Sequence, residues 1–223
     1  RRRLRGREPI ISFLTPRKDN TTRRPGLLKR VLSDGGPGFC QFAITDACNA
    51  RCKFCNFSLD VSDAASRVYV PVDQALRSID VLADIGVGYI AFVGGEPTMH
   101  AGLPGMLAHA RQRGVKSLVC TNGALLTRDR VEEYAQAGLD SVIISIDAPN
   151  VEDHERNRGL PNVCARIAEA NRYLPTAGVT TTASVTISRL LGDLTELPGF
   201  LTKMGFDEVT FSYPLRELAS TFR

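Results

Sequence analysis

From about residue 70 onward, one unit recurs along the chain: an amphipathic segment, a glycine, one apolar residue, then a β-rich run. The runs align on their glycines as Gly86-Val-Gly-Tyr-Ile-Ala-Phe-Val, Gly114-Val-Lys-Ser-Leu-Val-Cys-Thr, Gly138-Leu-Asp-Ser-Val-Ile-Ile-Ser, Gly178-Val-Thr-Thr-Thr-Ala-Ser-Val and Gly205-Phe-Asp-Glu-Val-Thr-Phe-Ser. Each glycine suits the position just past a helix, where a positive φ is needed. The segments between the runs carry apolar residues at helical spacing. Five stripes are visible: Ala75, Leu76, Ile79, Leu82 and Ala83; Leu103, Met106, Leu107 and Ala110; Val131, Tyr134 and Ala135; Val163, Ile167, Ala170 and Leu174; and Leu194, Leu197, Leu201 and Met204. They predict core-facing helix faces. Thr127 is the expected N-cap of the third, and Pro198 is expected to distort the fifth.

The run Phe39-Cys40-Gln41-Phe42-Ala43-Ile44 adds a sixth strand at the start. Strands alternating with helices predict parallel pairing and right-handed crossovers. A doubly wound sheet and an open barrel both fit this count. Either way, ligands belong at the carboxyl ends of the strands. Polar residues interrupt the apolar runs at those ends: Thr121-Asn122-Gly123, Ser145-Ile146-Asp147, Ser184 and Thr186, Ser212 and Tyr213. Thr121 and Ser145 both stand seven residues after the aligning glycine. Asp147 either accepts from a hydroxyl or caps the following segment, and Asn122 reads as a turn residue before Gly123.

Composition narrows the class. The chain has 223 residues, 43% hydrophobic and 23% charged, ordinary values for a globular protein with one large domain. No apolar stretch approaches a membrane span, and the start Arg1-Arg2-Arg3-Leu4-Arg5 lacks the apolar core of a secretory signal. Six cysteines, three of them clustered, suggest a reducing compartment, with the cytoplasm expected. Cys40, Cys120 and Cys164 read as buried small hydrophobes. The net charge of +4 is uneven: residues 1–30 hold eleven Lys or Arg against two acids, and the remainder is acidic. Residues 1–37 are therefore a basic extension ahead of a core domain over 38–223. Such an arm packs on the domain or touches RNA or an acidic surface. It has almost no interleaved aromatics, which disfavours nucleic acid. Lacking an initial methionine and stopping soon after the sixth strand, the chain is expected to be part of a longer protein.

The chemistry is carried by Cys48-Asn-Ala-Arg-Cys52-Lys-Phe-Cys55. Cubane iron–sulfur clusters usually take four cysteines. Three leave one iron open, and an open metal position is where reactions occur. About forty residues on, Gly94-Gly95-Glu96-Pro97 follows the apolar run Tyr89-Ile90-Ala91-Phe92-Val93. The glycines permit unusual dihedrals and close approach of a ligand to the backbone. Backbone carbonyls and the Glu96 carboxylate suit an ammonium group. A structural zinc site, with Cys40 as fourth ligand, is the alternative for the cysteines.

Together, the C-x3-C-x2-C loop and the GGEP turn resemble the radical S-adenosylmethionine (SAM) superfamily, over about residues 39–213. The resemblance implies a partial (β/α)6 TIM-type barrel within the α/β class. It implies a [4Fe–4S] cluster on Cys48, Cys52 and Cys55, with SAM chelating the fourth iron. It implies reductive cleavage of SAM to a 5′-deoxyadenosyl radical that abstracts hydrogen from an unidentified small molecule, lipid or peptide. An electron donor such as a flavodoxin or ferredoxin is the implied partner; an RNA substrate is the alternative. Gly94, Gly95 and Glu96 are implied to hold the SAM amino group, Phe54 to pack near the adenine, and Thr121 and Ser145 to bind the SAM carboxylate or ribose. His154-Glu155-Arg156-Asn157-Arg158-Gly159 is similar to the family's HDxxRG stretch, with Arg158 the implied partner of the SAM carboxylate and a charged surface loop the alternative. His100 and His109 have no visible partners, and His109 is expected to be exposed.

Overall fold

The computed structural model describes residues 37–52, 54–55 and 66–212. The basic arm, Lys53, residues 56–65 and the stretch from Tyr213 onward lie outside the described residues. Six strands form one sheet: β1 Phe39–Thr45, β2 Tyr89–Gly94, β3 Lys116–Thr121, β4 Ser141–Ile146, β5 Thr180–Thr186 and β6 Val209–Ser212. Every neighbouring pair is parallel, and the spatial order follows the chain from β1 to β6. A doubly wound sheet requires the order to reverse at a switch point. Here it never reverses, so the strands wind one way as in an open barrel, with β1 and β6 as its edges.

The helices are α1 Val72–Asp84, α2 Leu103–Gln112, α3 Arg128–Ala137, α4 Val151–Arg158, α5 Val163–Tyr173 and α6 Leu197–Lys203. The predicted stripes form the core: Ile79, Leu103, Met106, Leu107, Ile167 and Leu174 are fully buried. They pack on one face of the sheet, against Ile90 and Phe92, Val119, Val142, Ile144 and Ile146, and Ala183 and Val185. Alternation along each strand sends Val93, Cys120, Ile143 and Ser145 to the face opposite the described helices. All five aligning glycines have positive φ. Thr127 caps α3 by accepting from the Arg130 N–H at 3.4 Å.

The fifth stripe differs from its expectation. Its helix begins at Leu197, leaving Leu194 half exposed. Pro198 therefore stands in the first turn, where a missing N–H costs nothing, and does not distort the helix. The histidines also differ. His109 Nε2 donates to Asp80 Oδ1 over 2.8 Å and the side chain is mostly covered. His100 is buried, bonding the Val70 carbonyl at 2.9 Å and accepting from the Gly102 N–H at 3.0 Å. Both partners are distant in sequence or lie in the backbone, so neither is visible as a motif. Cys164 is buried in the core, whereas Cys40 and Cys120 are only partly covered.

Candidate functional site

The cysteine loop leaves the carboxyl end of β1, and the Gly94-Gly95-Glu96-Pro97 turn leaves the carboxyl end of β2 beside it. Two backbone hydrogen bonds join them: Gly95 N–H to the Thr45 carbonyl at 2.8 Å, and Glu96 N–H to the Ala47 carbonyl at 2.7 Å. A Cβ on Gly94, at φ +137°, would overlap the Thr45 carbonyl oxygen. One on Gly95 would overlap the Ala47 oxygen and come within 2.5 Å of that of Asp46. The sequence suggested that these glycines admit a ligand. In the structure they admit the backbone that leads into Cys48, so the two motifs form a single piece.

Glu96 locks this piece to β3. Its side chain is 1% exposed. Oε1 accepts from Thr98 N–H at 3.1 Å, the Thr98 hydroxyl at 2.5 Å and the Thr121 hydroxyl at 2.7 Å. Oε2 accepts from Asn122 N–H at 2.7 Å. A carboxylate has about four acceptor sites, two on each oxygen. Oε1 is crowded with three donors, whereas Oε2 takes only one, so Oε2 is the oxygen with room for an ammonium hydrogen. The Thr121 hydroxyl gives its hydrogen to Glu96 and accepts from Gly123 N–H. Thr121 thus orients Glu96 and does not itself donate to a ligand. Asn122 is a turn residue, its Oδ1 accepting from Ala124 N–H, but its amide also donates to Asn49 of the cysteine loop at 2.7 Å.

A second buried network lies at the end of β4. Asp147 Oδ1 accepts from Arg158 Nη2 at 2.8 Å and Oδ2 from Asn157 Nδ2 at 2.9 Å. Asp147 does not cap the following segment. It takes a guanidinium and an amide, while Asn150 caps α4 by accepting from the Asp153 N–H at 2.8 Å. The charged-loop reading of residues 154–159 also fails. The stretch is helical, and His154, Asn157 and Arg158 are buried. They stand at i, i+3 and i+4, one face of a helix. That spacing was readable in the sequence. Glu155, which replaces the family's Asp, caps the next helix by accepting from Asn162 and Cys164 N–H groups. Arg158 already has a carboxylate partner within the chain. Its backbone carbonyl accepts from the Arg51 N–H at 2.7 Å, tying α4 to the cysteine loop.

The chemistry of the donor set fits an iron–sulfur cluster. Burial pushes the Cys48 thiol up and the Cys52 thiol to about 12, while the Arg158 cation draws Cys52 back down. Iron overrides such shifts by displacing the proton. Among the described residues, no three His, Cys, Asp or Glu side chains converge on one metal point. Cys40 sits five residues before the end of β1, about 16 Å from the loop at strand rise, so it cannot complete a zinc site. Buried Arg158 Nε and His154 Nε2 have no hydrogen-bond partner among the described residues. Phe54 lies in the turn between Cys52 and Cys55 and is half-buried. On the face opposite the described helices, Ser145 is in register with Ser184, and Ser184 with Thr210. Asn49, Thr98, His154 and Asn157 take part in these networks, although the sequence assigned them no role.

Comparison with known proteins decides the family. The model of the Radical SAM superfamily matches residues 42–194. The chain belongs to the radical SAM superfamily. Radical SAM proteins use a [4Fe–4S] cluster and SAM. The chain is 28% identical to an AdoMet-dependent heme synthase of Nitratidesulfovibrio vulgaris over 162 residues, 72% of this chain and 44% of the relative. It is 30% identical to a PqqA peptide cyclase of Granulibacter bethesdensis over 146 residues, 66% of this chain and 38% of the relative. The chain thus spans under half the length of these relatives. Streptococcus suis SuiB bound to S-adenosylmethionine shares the fold, with TM-score 0.68 and 17% identity over 87% of this chain and 45% of SuiB. No helix among the described residues of this radical SAM chain is long and apolar enough to cross a membrane.

Proposed function

We propose that this chain is the catalytic core of a radical SAM enzyme, with Cys48, Cys52 and Cys55 as the ligands of its [4Fe–4S] cluster. The observation that carries this reading is the pair of hydrogen bonds from Gly95 and Glu96 to Thr45 and Ala47. They fix the GGEP turn against the start of the cysteine loop, so that an amino group held by one lies beside the metal held by the other. Carbonyls of Gly94 and Gly95 and the open site on Glu96 Oε2 hold the SAM ammonium. Thr121, Thr98 and Asn122 keep Glu96 aimed. Phe54 covers the adenine, and the Ser145 hydroxyl is the donor for the SAM carboxylate or ribose. When bound, cluster and SAM supply a 5′-deoxyadenosyl radical able to abstract hydrogen. The protein's task is to position one substrate C–H bond against it and exclude water.

The substrate belongs over β4 to β6, where Ser145, Ser184 and Thr210 share a row and Thr186 and Ser212 pair one step higher. That lining suits a polar small molecule or a peptide, and the matched relatives carry the names heme synthase and peptide cyclase. A flavodoxin or ferredoxin is the expected reductant, in a cytoplasmic setting. Anaerobic reconstitution with iron and sulfide tests the reading. The expected result is about four irons per chain and 5′-deoxyadenosine on adding SAM and dithionite. A chain that takes up zinc alone, or a loaded cluster whose EPR signal ignores SAM, refutes it.

A further inference from the structure

Arg158 is out of place for a residue that only closes an ion pair. Its side chain is 7% exposed and Asp147 is 1% exposed, so both charges have left water. Asp147 takes only Nη2, and the buried Nε has no hydrogen-bond partner among the described residues. An unpaired buried N–H is costly and calls for an acceptor. The surroundings narrow which acceptor. The Arg158 carbonyl accepts from Arg51 N–H, and Arg51 precedes Cys52. The following Gly159, at φ +62°, lets α4 end against the Arg51 side chain, which a Cβ would meet at 3.3 Å. Arg158 is electrostatically coupled to Cys48, Cys52 and Glu96. A cluster held by Cys48, Cys52 and Cys55 would set an anionic sulfur cage near this guanidinium. Hydrogen bonds to cluster sulfurs and nearby charge both govern cluster potential.

We propose that Arg158 is a positioning residue for the iron–sulfur cluster, donating its Nε–H to a cluster sulfur beside Cys52 and raising the cluster's reduction potential with its buried cation. This rests on the cluster assignment made above. Asp147 and Asn157 hold the guanidinium in place, and His154 supports them. The Nδ1 of His154 accepts from Asp147 N–H at 3.1 Å. A cation beside the cage favours the reduced, more negative state. Its removal makes the cluster harder to reduce.

The test is an EPR-monitored redox titration of the reconstituted chain, with iron and sulfide content measured first. A wild-type chain that does not load a four-iron cluster defeats the cluster assignment itself and is read separately. Given loading, Arg158→Gln is expected to lower the reduction equilibrium at least about tenfold, or about 59 mV for one electron, at unchanged iron content. The paired variant Asp147→Asn/Arg158→Gln replaces the ion pair by two neutral amides and guards against a folding defect. It is expected to shift in the same direction. Arg158→Lys retains the charge and should fall between. A loaded Arg158→Gln or paired variant with the wild-type midpoint overturns the proposal. Loss of the cluster from both neutral variants, with circular dichroism intact and Arg158→Lys still loaded, supports it. Loss of the fold in both shows a structural clamp only and overturns it.

Discussion

Glu96→Gln separates a carboxylate that organises the site from one that merely lines it. In the wild type, Oε1 takes three donors and Oε2 takes the Asn122 N–H. The best the amide can do is keep its oxygen on the three-donor side. Its NH2 then faces the Asn122 N–H, two donors against each other in a site that is 1% exposed. One charge-assisted bond is lost, about 1.5–3 kcal/mol, and one buried donor is orphaned, about 1–3 kcal/mol, so the substitution should cost about 2.5–6 kcal/mol. Urea denaturation of the cluster-free chain, followed by far-ultraviolet circular dichroism, measures this. Thr121→Val removes one donor and should cost about 1–2 kcal/mol. In the double variant the two costs should not simply add, because both changes fall in one buried hydrogen-bond network. Glu96→Gln within about 0.5 kcal/mol of wild type would refute the reasoning, since surface-like substitutions fall in that range.

Gly95→Ala should destabilise by about 3 kcal/mol or more, because rigid backbone oxygens and not side chains occupy the Cβ position; a thermal shift assay reads it, and an unchanged melting temperature counts against the stitched geometry. Cys52→Ala should abolish a four-iron cluster while leaving the fold, checked by iron analysis beside circular dichroism. Burial and the Arg158 cation hold His154 down, from 6.5 to about 4, with the Asp147 carboxylate opposing. The unfolded chain therefore binds the extra proton first as pH falls. Stability is fully present above about pH 6.5 and drops by about 3 kcal/mol on acidification to pH 4. His154→Asn keeps an acceptor for Asp147 N–H and does not titrate, so this part of the slope should vanish from its pH series of urea midpoints. A reconstituted Asn49→Ala chain should lose cluster faster under a chelator, because the Asn122 tether to the loop is gone; an unchanged bleaching rate would show that the tether is idle.

The sequence by itself determined the strand–helix alternation, the helix faces and the glycines that end the helices. These depend on spacing within one element and on the φ that a single residue can adopt. It also named the two motifs, because three thiols on eight residues and a Gly-Gly-Glu-Pro turn are local chemistry. Strand order was not local: an open barrel and a doubly wound sheet share one hydrophobic pattern, and only the unbroken register from β1 to β6 separates them. Nor were the partners of buried polar groups. That Thr121 donates to Glu96 and that Asp147 holds Arg158 could not be read from spacing. Each pair joins different strand ends or a strand end and the next helix. A hydrogen bond is decided by where two chain segments meet, which a one-dimensional pattern does not contain. The glycines of the GGEP turn make the same point: the need for glycine was legible, but the tertiary structure alone showed that the Thr45–Ala47 backbone fills the space.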